Sequence, residues 1–173
     1  MPELIDCYEY VNADAIAAAL SPFKPQEVSI EAGRVMLKRI KELANSKVDF
    51  AFETTMASKS FAPFLVKCKK EGYSIRLIYV WLRSADLAVE RVRLRAKSGG
   101  HAVPEETIRQ RYERSLLNFF GLYLPIADQW RFYDNSFDRP ALVAENFTDG
   151  LINVTDQNTW MIASQVKVIE NEK

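Results

Sequence analysis

The chain has 173 residues, long enough for one domain with a sizeable buried core. Its 23 Lys+Arg balance 23 Asp+Glu, so the formal net charge is zero, and neither a nucleic-acid nor a membrane partner is expected. Cys7 and Cys68 lack metal-ligand spacing, no leader peptide opens the sequence, and no apolar run approaches the roughly 20 residues of a membrane span, so the chain is read as a cytoplasmic protein with reduced thiols and no metal-ligand cluster.

Strand-like and helix-like segments alternate, which predicts an α/β fold with a mostly parallel sheet. Residues 7–11 are short and aromatic and read as a strand. Asn12-Ala13-Asp14 opens an Ala-rich helix over 13–20 that stops at Ser21-Pro22. Pro25 starts a long amphipathic helix to about residue 45, with Val28, Ala32, Val35, Ile40 and Leu43 on its inner stripe. A strand over 48–52 is followed by a helix from about 58 to 71, with Gly72 as its C-terminal cap.

Residues 74–82 form the most apolar strand of the chain, as a strand covered on both faces should be. A helix over 85–97, a loop over 98–103 and a long helix from Pro104 to about 128 come next. Residues 130–134 read as a further strand. Segments 141–147 and 151–154 flank Thr148-Asp149-Gly150 as a terminal hairpin, and 160–168 as a closing helix. No second domain is visible, so residues 1–173 are read as one.

Chemistry concentrates where strands end. Asp14 lies in the first turn of a helix that follows a strand, at the edge where open α/β sheets bind ligands. A carboxylate there can take the proton of a hydroxyl attacking a phosphoryl group. Equally, Asn12 can cap the helix while Asp14 complements its dipole. Glu53, Thr54 and Thr55 occupy the same edge after the next strand. There the acid can orient substrate hydroxyls or hold a metal-bound water, and the hydroxyls can bind substrate or cap the next helix.

Between residues 91 and 114 stand Arg91, Arg93, Arg95, Lys97, Arg109, Arg111 and Arg114, seven of the 23 Lys/Arg, with the sole histidine, His101. Guanidinium groups match phosphate in a bidentate way. Two helices hinged at Ser98-Gly99-Gly100 can close over a nucleotide as a lid at about 91–115. The competing reading is a solvated face with i,i+4 pairs such as Arg109–Glu113. His101 can serve as a loop hydrogen-bonding group or a phosphate contact. Asp134-Asn135-Ser136 can contact a base or begin a turn.

Tyr10-Val-Asn12-Ala-Asp14, Leu20-Ser-Pro-Phe23, Ile30-Glu-Ala-Gly33-Arg34, Phe52-Glu53-Thr54-Thr55, Gly99-Gly100-His101-x-Val103-Pro104, Arg111-Tyr-x-Arg114-Ser115-Leu and Tyr133-Asp-Asn-Ser136 occur in that order. Together they resemble the zeta-toxin-like group of P-loop kinases over roughly residues 8–145. The resemblance implies a three-layer α/β fold with a parallel sheet flanked by helices and an arginine-rich helical lid. It implies an ATP- and Mg²⁺-dependent phosphotransferase acting on a small molecule such as the nucleotide sugar UDP-N-acetylglucosamine. By position, Asp14 resembles the catalytic base and Glu53 the substrate-orienting acid, with Asn12, Thr54, Thr55 and His101 on the substrate. Arg95, Arg109 and Arg111 resemble lid arginines, and Asn135 lies near the nucleotide base.

Intact members open with a strand, a G-x-x-x-x-G-K-[ST] loop and a helix. Here no glycine pair has that spacing before Lys and Ser/Thr. Eleven residues precede Asn12, whereas strand, loop and helix need about 25. The sequence is therefore expected to follow the phosphate loop and to lack the first strand. ATP turnover by these residues is not expected, because positioning and electrostatics supply nearly all of phosphoryl-transfer catalysis. Three readings stay open: a kinase that continues upstream, a non-catalytic nucleotide or sugar-phosphate binder, and a protein-interaction remnant. The last would engage an antitoxin or a second copy through an exposed sheet edge.

Overall fold

The structure, a computed structural model, describes residues 7–97, 100, 103–146 and 150–165. They fall into two compact units, Met1–Thr54 and Thr55–Lys173. Among the described residues no helix is long and apolar enough to cross a membrane.

In the first unit β1 (Glu9–Val11) runs parallel to β2 (Phe50–Phe52), with Tyr10 opposite Ala51 and Val11 opposite Phe52. Parallel neighbours need a long crossover, and helices α1 (Ala13–Leu20) and α2 (Ser29–Asn45) supply it. Asn12 caps α1, its Oδ1 accepting the Ala15 amide at 3.0 Å. Helix α2 buries Ala32, Met36, Ile40, Leu43 and Ala44.

That stripe corrects the expected one. Val35 is 41% exposed and Met36 takes its place. The expected helix began at Pro25, but Pro25–Val28 form a 3₁₀ turn before α2 starts. Met36 stands four residues from both Ala32 and Ile40, so it, and not Val35, completes their face of α2.

The second unit is built on a four-stranded sheet in the order β3 (Arg76–Trp81), β4 (Gln129–Asp134), β5 (Ala141–Asn146), β6 (Ile152–Val154). Strands β3 and β4 are parallel over six residues, from Arg76–Gln129 to Trp81–Asp134. The β4–β5 and β5–β6 pairs are antiparallel, the second being the expected terminal hairpin. Among the described residues β3 pairs with β4 alone. It is not covered on both faces as expected: Tyr79 and Trp81 are buried on one face, while Val80 on the other is 36% exposed.

Helices α3 (Phe61–Lys70), α4 (Ala85–Lys97), α5 (Glu105–Asn118) and α6 (Gln157–Ser164) complete this unit. Gly72 ends α3 with φ 97°, a left-handed conformation that glycine adopts without a Cβ penalty. The core is aromatic. Tyr79 lies 4.4 Å from Phe119 and 5.4 Å from Phe132 between ring centres, and Trp130 stacks on Trp160 at 5.4 Å. Tyr79 keeps one polar contact, a 2.7 Å hydrogen bond with the Ser115 hydroxyl, and burial pushes its phenol pKa up to about 12.

The helix expected from Pro104 to about 128 is also corrected. Helix α5 ends at Asn118 and gives way to a wider π turn over Phe119–Tyr123, where the Leu124 amide reaches the Phe119 carbonyl at 2.8 Å. The wider turn lets Phe119, Phe120 and Tyr123 all enter the core. Pro125, with no amide to donate, ends the helical run.

The architecture is thus α/β, with the parallel pairs β1/β2 and β3/β4 flanked by helices.

Candidate functional site

Asp14 and Glu53 follow the carboxyl ends of β1 and β2, and parallel strands bring both ends to one edge. The backbone closes this edge first, the Glu53 amide donating to the Val11 carbonyl at 3.3 Å. Asn12 then does two things. Its Oδ1 caps α1, while its Nδ2 donates to the Glu53 carboxylate at 2.5 Å. The capping and functional readings of Asn12 are therefore compatible.

The Tyr10 phenol has its pKa pushed up, by burial first and by the neighbouring Glu53 carboxylate next. Asp14 lies exposed in the first turn of α1, two residues beyond Asn12. An open cleft of about 820 Å³ runs alongside, lined by Tyr10, Asn12, Asp14, Val35, Arg39 and Glu42. Arg39 is tied across it to Glu9 at 2.8 Å. Thr54 is half-buried directly after Glu53.

Tyr10 and Arg39 were missed from sequence. The signal for Tyr10 was its place in the motif that holds Asn12 and Asp14. Arg39 carried none, since only the return of α2 past β1 brings it to Glu9.

Thr55 opens the second unit, where its hydroxyl accepts the Ala57 amide at 3.4 Å, as a turn-forming threonine does. The loop that follows is anchored from α5 and its π turn. Buried Asn118 donates to the Met56 carbonyl at 2.8 Å, and the Tyr123 hydroxyl to the Ser58 carbonyl at 2.5 Å.

The arginines divide into two groups. Arg109 donates to Asp86 at 2.6 Å and to Glu105 at 2.8 Å, and Arg93 donates to Glu105 at 2.5 Å. The Glu113 pairing expected for Arg109 is replaced by these two acids. Arg109, ahead of Arg93, holds the Glu105 carboxyl below its ordinary pKa. Arg91 reaches the Phe137 carbonyl at 3.3 Å, and Arg114 the Gln110 carbonyl at 3.1 Å. Among the described residues, the guanidinium groups of Arg95 and Arg111 meet no hydrogen-bond or ion-pair partner. Gly100 folds back on α4, its amide on the Arg95 carbonyl at 2.8 Å, whereas Ser98, Gly99 and His101 lie outside the described residues.

Asn135 sits in a turn at the carboxyl end of β4. Its amide donates to the Trp81 carbonyl at 2.8 Å, and buried Asp134 accepts both the amide and the hydroxyl of Ser136. The Ser136 oxygen in turn accepts the Arg83 amide at 2.8 Å. The turn reading of these residues holds in the structure, and the Asn135 side chain makes no hydrogen bond among the described residues.

The 173 residues hold no G-x-x-x-x-G-K-[ST] run, and no three acids, cysteines or histidines cluster among the described residues. These residues do not form a phosphate cradle with a metal site. What they do form is an acidic, hydrogen-bonded corner in one unit and a pair of arginine-bearing helices in the other.

Comparison with known proteins gives three matches. The family model described as Zeta toxin matches residues 10–126. An uncharacterized protein of Haemophilus influenzae is 26% identical over 102 residues, which is 59% of this chain and 73% of that protein. A chain from the structure of the PezAT chromosomal toxin–antitoxin system of Streptococcus pneumoniae superposes with a TM-score of 0.52 at 12% identity. That match covers 95% of this chain and 76% of the other, a likeness of fold.

Proposed function

Because the chain belongs to the zeta toxin family, we propose that its residues form the acceptor-binding site of a kinase-type phosphotransferase acting on a small molecule such as a nucleotide sugar. The observation that carries this reading is the corner where Asn12 holds the Glu53 carboxylate, with Asp14 in the adjoining helical turn. A fixed carboxylate that accepts hydrogen bonds can orient a substrate hydroxyl. A second, exposed carboxylate can receive the proton that the hydroxyl loses on attack.

In this reading Glu53 orients the acceptor and Asp14 is the general base. Asn12, Thr54 and Thr55 support the acceptor, and His101 contacts phosphate. Arg95 and Arg111 neutralise phosphoryl oxygens, and Asn135 borders the nucleotide base. The family's ATP and Mg²⁺ would supply the phosphoryl group and its neutralisation, but the residues present do not fit that donor. A second reading is binding of nucleotide or sugar phosphate by these residues without turnover.

Since the solved structure that this fold resembles comes from a toxin–antitoxin system, an antitoxin-type protein partner is part of the proposal. It would engage the chain through an open sheet edge, as would a second copy.

The test is calorimetric titration of residues 1–173 with nucleotide sugars and, separately, with ATP and Mg²⁺. Saturable nucleotide-sugar binding supports the acceptor site, and no heat from any sugar nucleotide contradicts it. Measurable ATP-dependent phosphorylation by residues 1–173 would overturn the expectation that they do not turn over.

A further inference from the structure

Asp86, Arg109, Glu105 and Arg93 form an alternating chain of four charges between α4 and α5. Arg109 joins the first turn of α4, through Asp86, to the first turn of its own helix, through Glu105. Arg93, about two turns further along α4, takes the other carboxylate oxygen of Glu105. The two rungs are thus spaced along α4, so they fix both the spacing and the register of an antiparallel helix pair.

We infer that Arg109 is a positioning residue: with Asp86, Glu105 and Arg93 it ties α4 to α5 and so sets where Arg95 and Arg111 present their guanidinium groups. Helical spacing separates the two roles. Arg95 follows Arg93, and Arg111 follows Arg109, by two residues, about 200° round the helix. Each tether arginine therefore points away from the unpartnered one on its helix. An exposed ion pair by itself adds little stability. What a chain of four charges with a two-acid arginine supplies is a fixed geometry.

This rests on the reading of Arg95 and Arg111 as phosphate ligands. The experiment separates the two ideas by combining hydrogen exchange of the α4 and α5 amides with calorimetric titration of inorganic tripolyphosphate. It compares the wild-type chain with R109A, R111A and the fourfold inversion D86R/R93E/E105R/R109E, which keeps net charge and restores the tether with reversed signs.

R109A is expected to speed exchange and to weaken tripolyphosphate binding, each by about 3- to 10-fold. The inversion is expected to return both to within about twofold of wild type, while R111A weakens binding and leaves exchange unchanged. Unchanged exchange in R109A overturns the tether. An inversion that recovers exchange but not binding overturns the positioning role, because Arg109 would then touch the phosphate itself. Failure of the wild-type chain to bind tripolyphosphate overturns the phosphate-ligand reading alone, and exchange in R109A and the inversion still decides the tether.

Discussion

Asn12 holds the Glu53 carboxylate through Nδ2 at 2.5 Å while its Oδ1 caps α1. One side chain thus sets both the start of a helix and the orientation of an acid forty-one residues away. The two roles can be pulled apart by substitution. Asn12→Ala removes both and should cost about 0.5–2 kcal/mol of stability. Asn12→Asp keeps a capping oxygen but loses the donor and sets a carboxylate against Glu53. In thermal melts Asn12→Asp should lie nearer wild type than Asn12→Ala, yet lose at least as much nucleotide-sugar affinity. Equal affinity in Asn12→Asp and wild type would show that the hydrogen bond to Glu53 is immaterial.

Buried Asn118 satisfies the Met56 carbonyl and anchors the loop after Thr55. Asn118→Leu would leave that carbonyl without its donor at a cost of about 1–3 kcal/mol. Denaturant unfolding should show the loss as a lower midpoint with an unchanged slope. A change below about 0.5 kcal/mol would mean that the loop is held by other contacts, such as Tyr123 on Ser58.

The Asp128 carboxylate receives the Lys69 ammonium at 2.8 Å and the Ile75 amide at 2.8 Å, and these hold its pKa below the ordinary value, Lys69 first. A carboxyl depressed in the folded state stabilises above its unfolded pKa of about 3.9. That contribution is lost as pH falls from there through the folded value. The gap in melting temperature between wild type and Asp128→Asn should therefore be full near neutral pH and shrink below about pH 4. A gap that stays constant into acid would contradict the assignment.

Much of this was legible in the sequence because the signals were local. The bounds of α1 and α4, the Gly72 cap and the final hairpin follow from capping chemistry and periodicity within a few residues. The Asn12–Glu53 corner was half legible. Both residues stood at strand ends, but their hydrogen bond depends on β1 and β2 pairing in parallel.

The misses lie where packing decides between near-equal alternatives. Met36, four residues from both Ala32 and Ile40, fills the inner face of α2 in place of Val35, and a π turn at Phe119–Tyr123 brings three aromatics into one core. Arg109 reaches Asp86 because α4 lies beside α5, a tertiary fact that helical spacing cannot carry, and its i,i+4 partner is Glu105 on the preceding turn, not Glu113 on the next.

The central claim is that Glu53, held by Asn12, binds the acceptor. Its most direct test is titration of UDP-N-acetylglucosamine into wild type and Glu53→Ala, with melting temperature as the control. Glu53 is exposed, so the substitution should leave stability within about 0.5 kcal/mol. The account predicts saturable binding by wild type and a loss of at least about tenfold in Glu53→Ala, equivalent to about 1.4 kcal/mol. Equal affinity in the two proteins, or no binding by wild type, would contradict it.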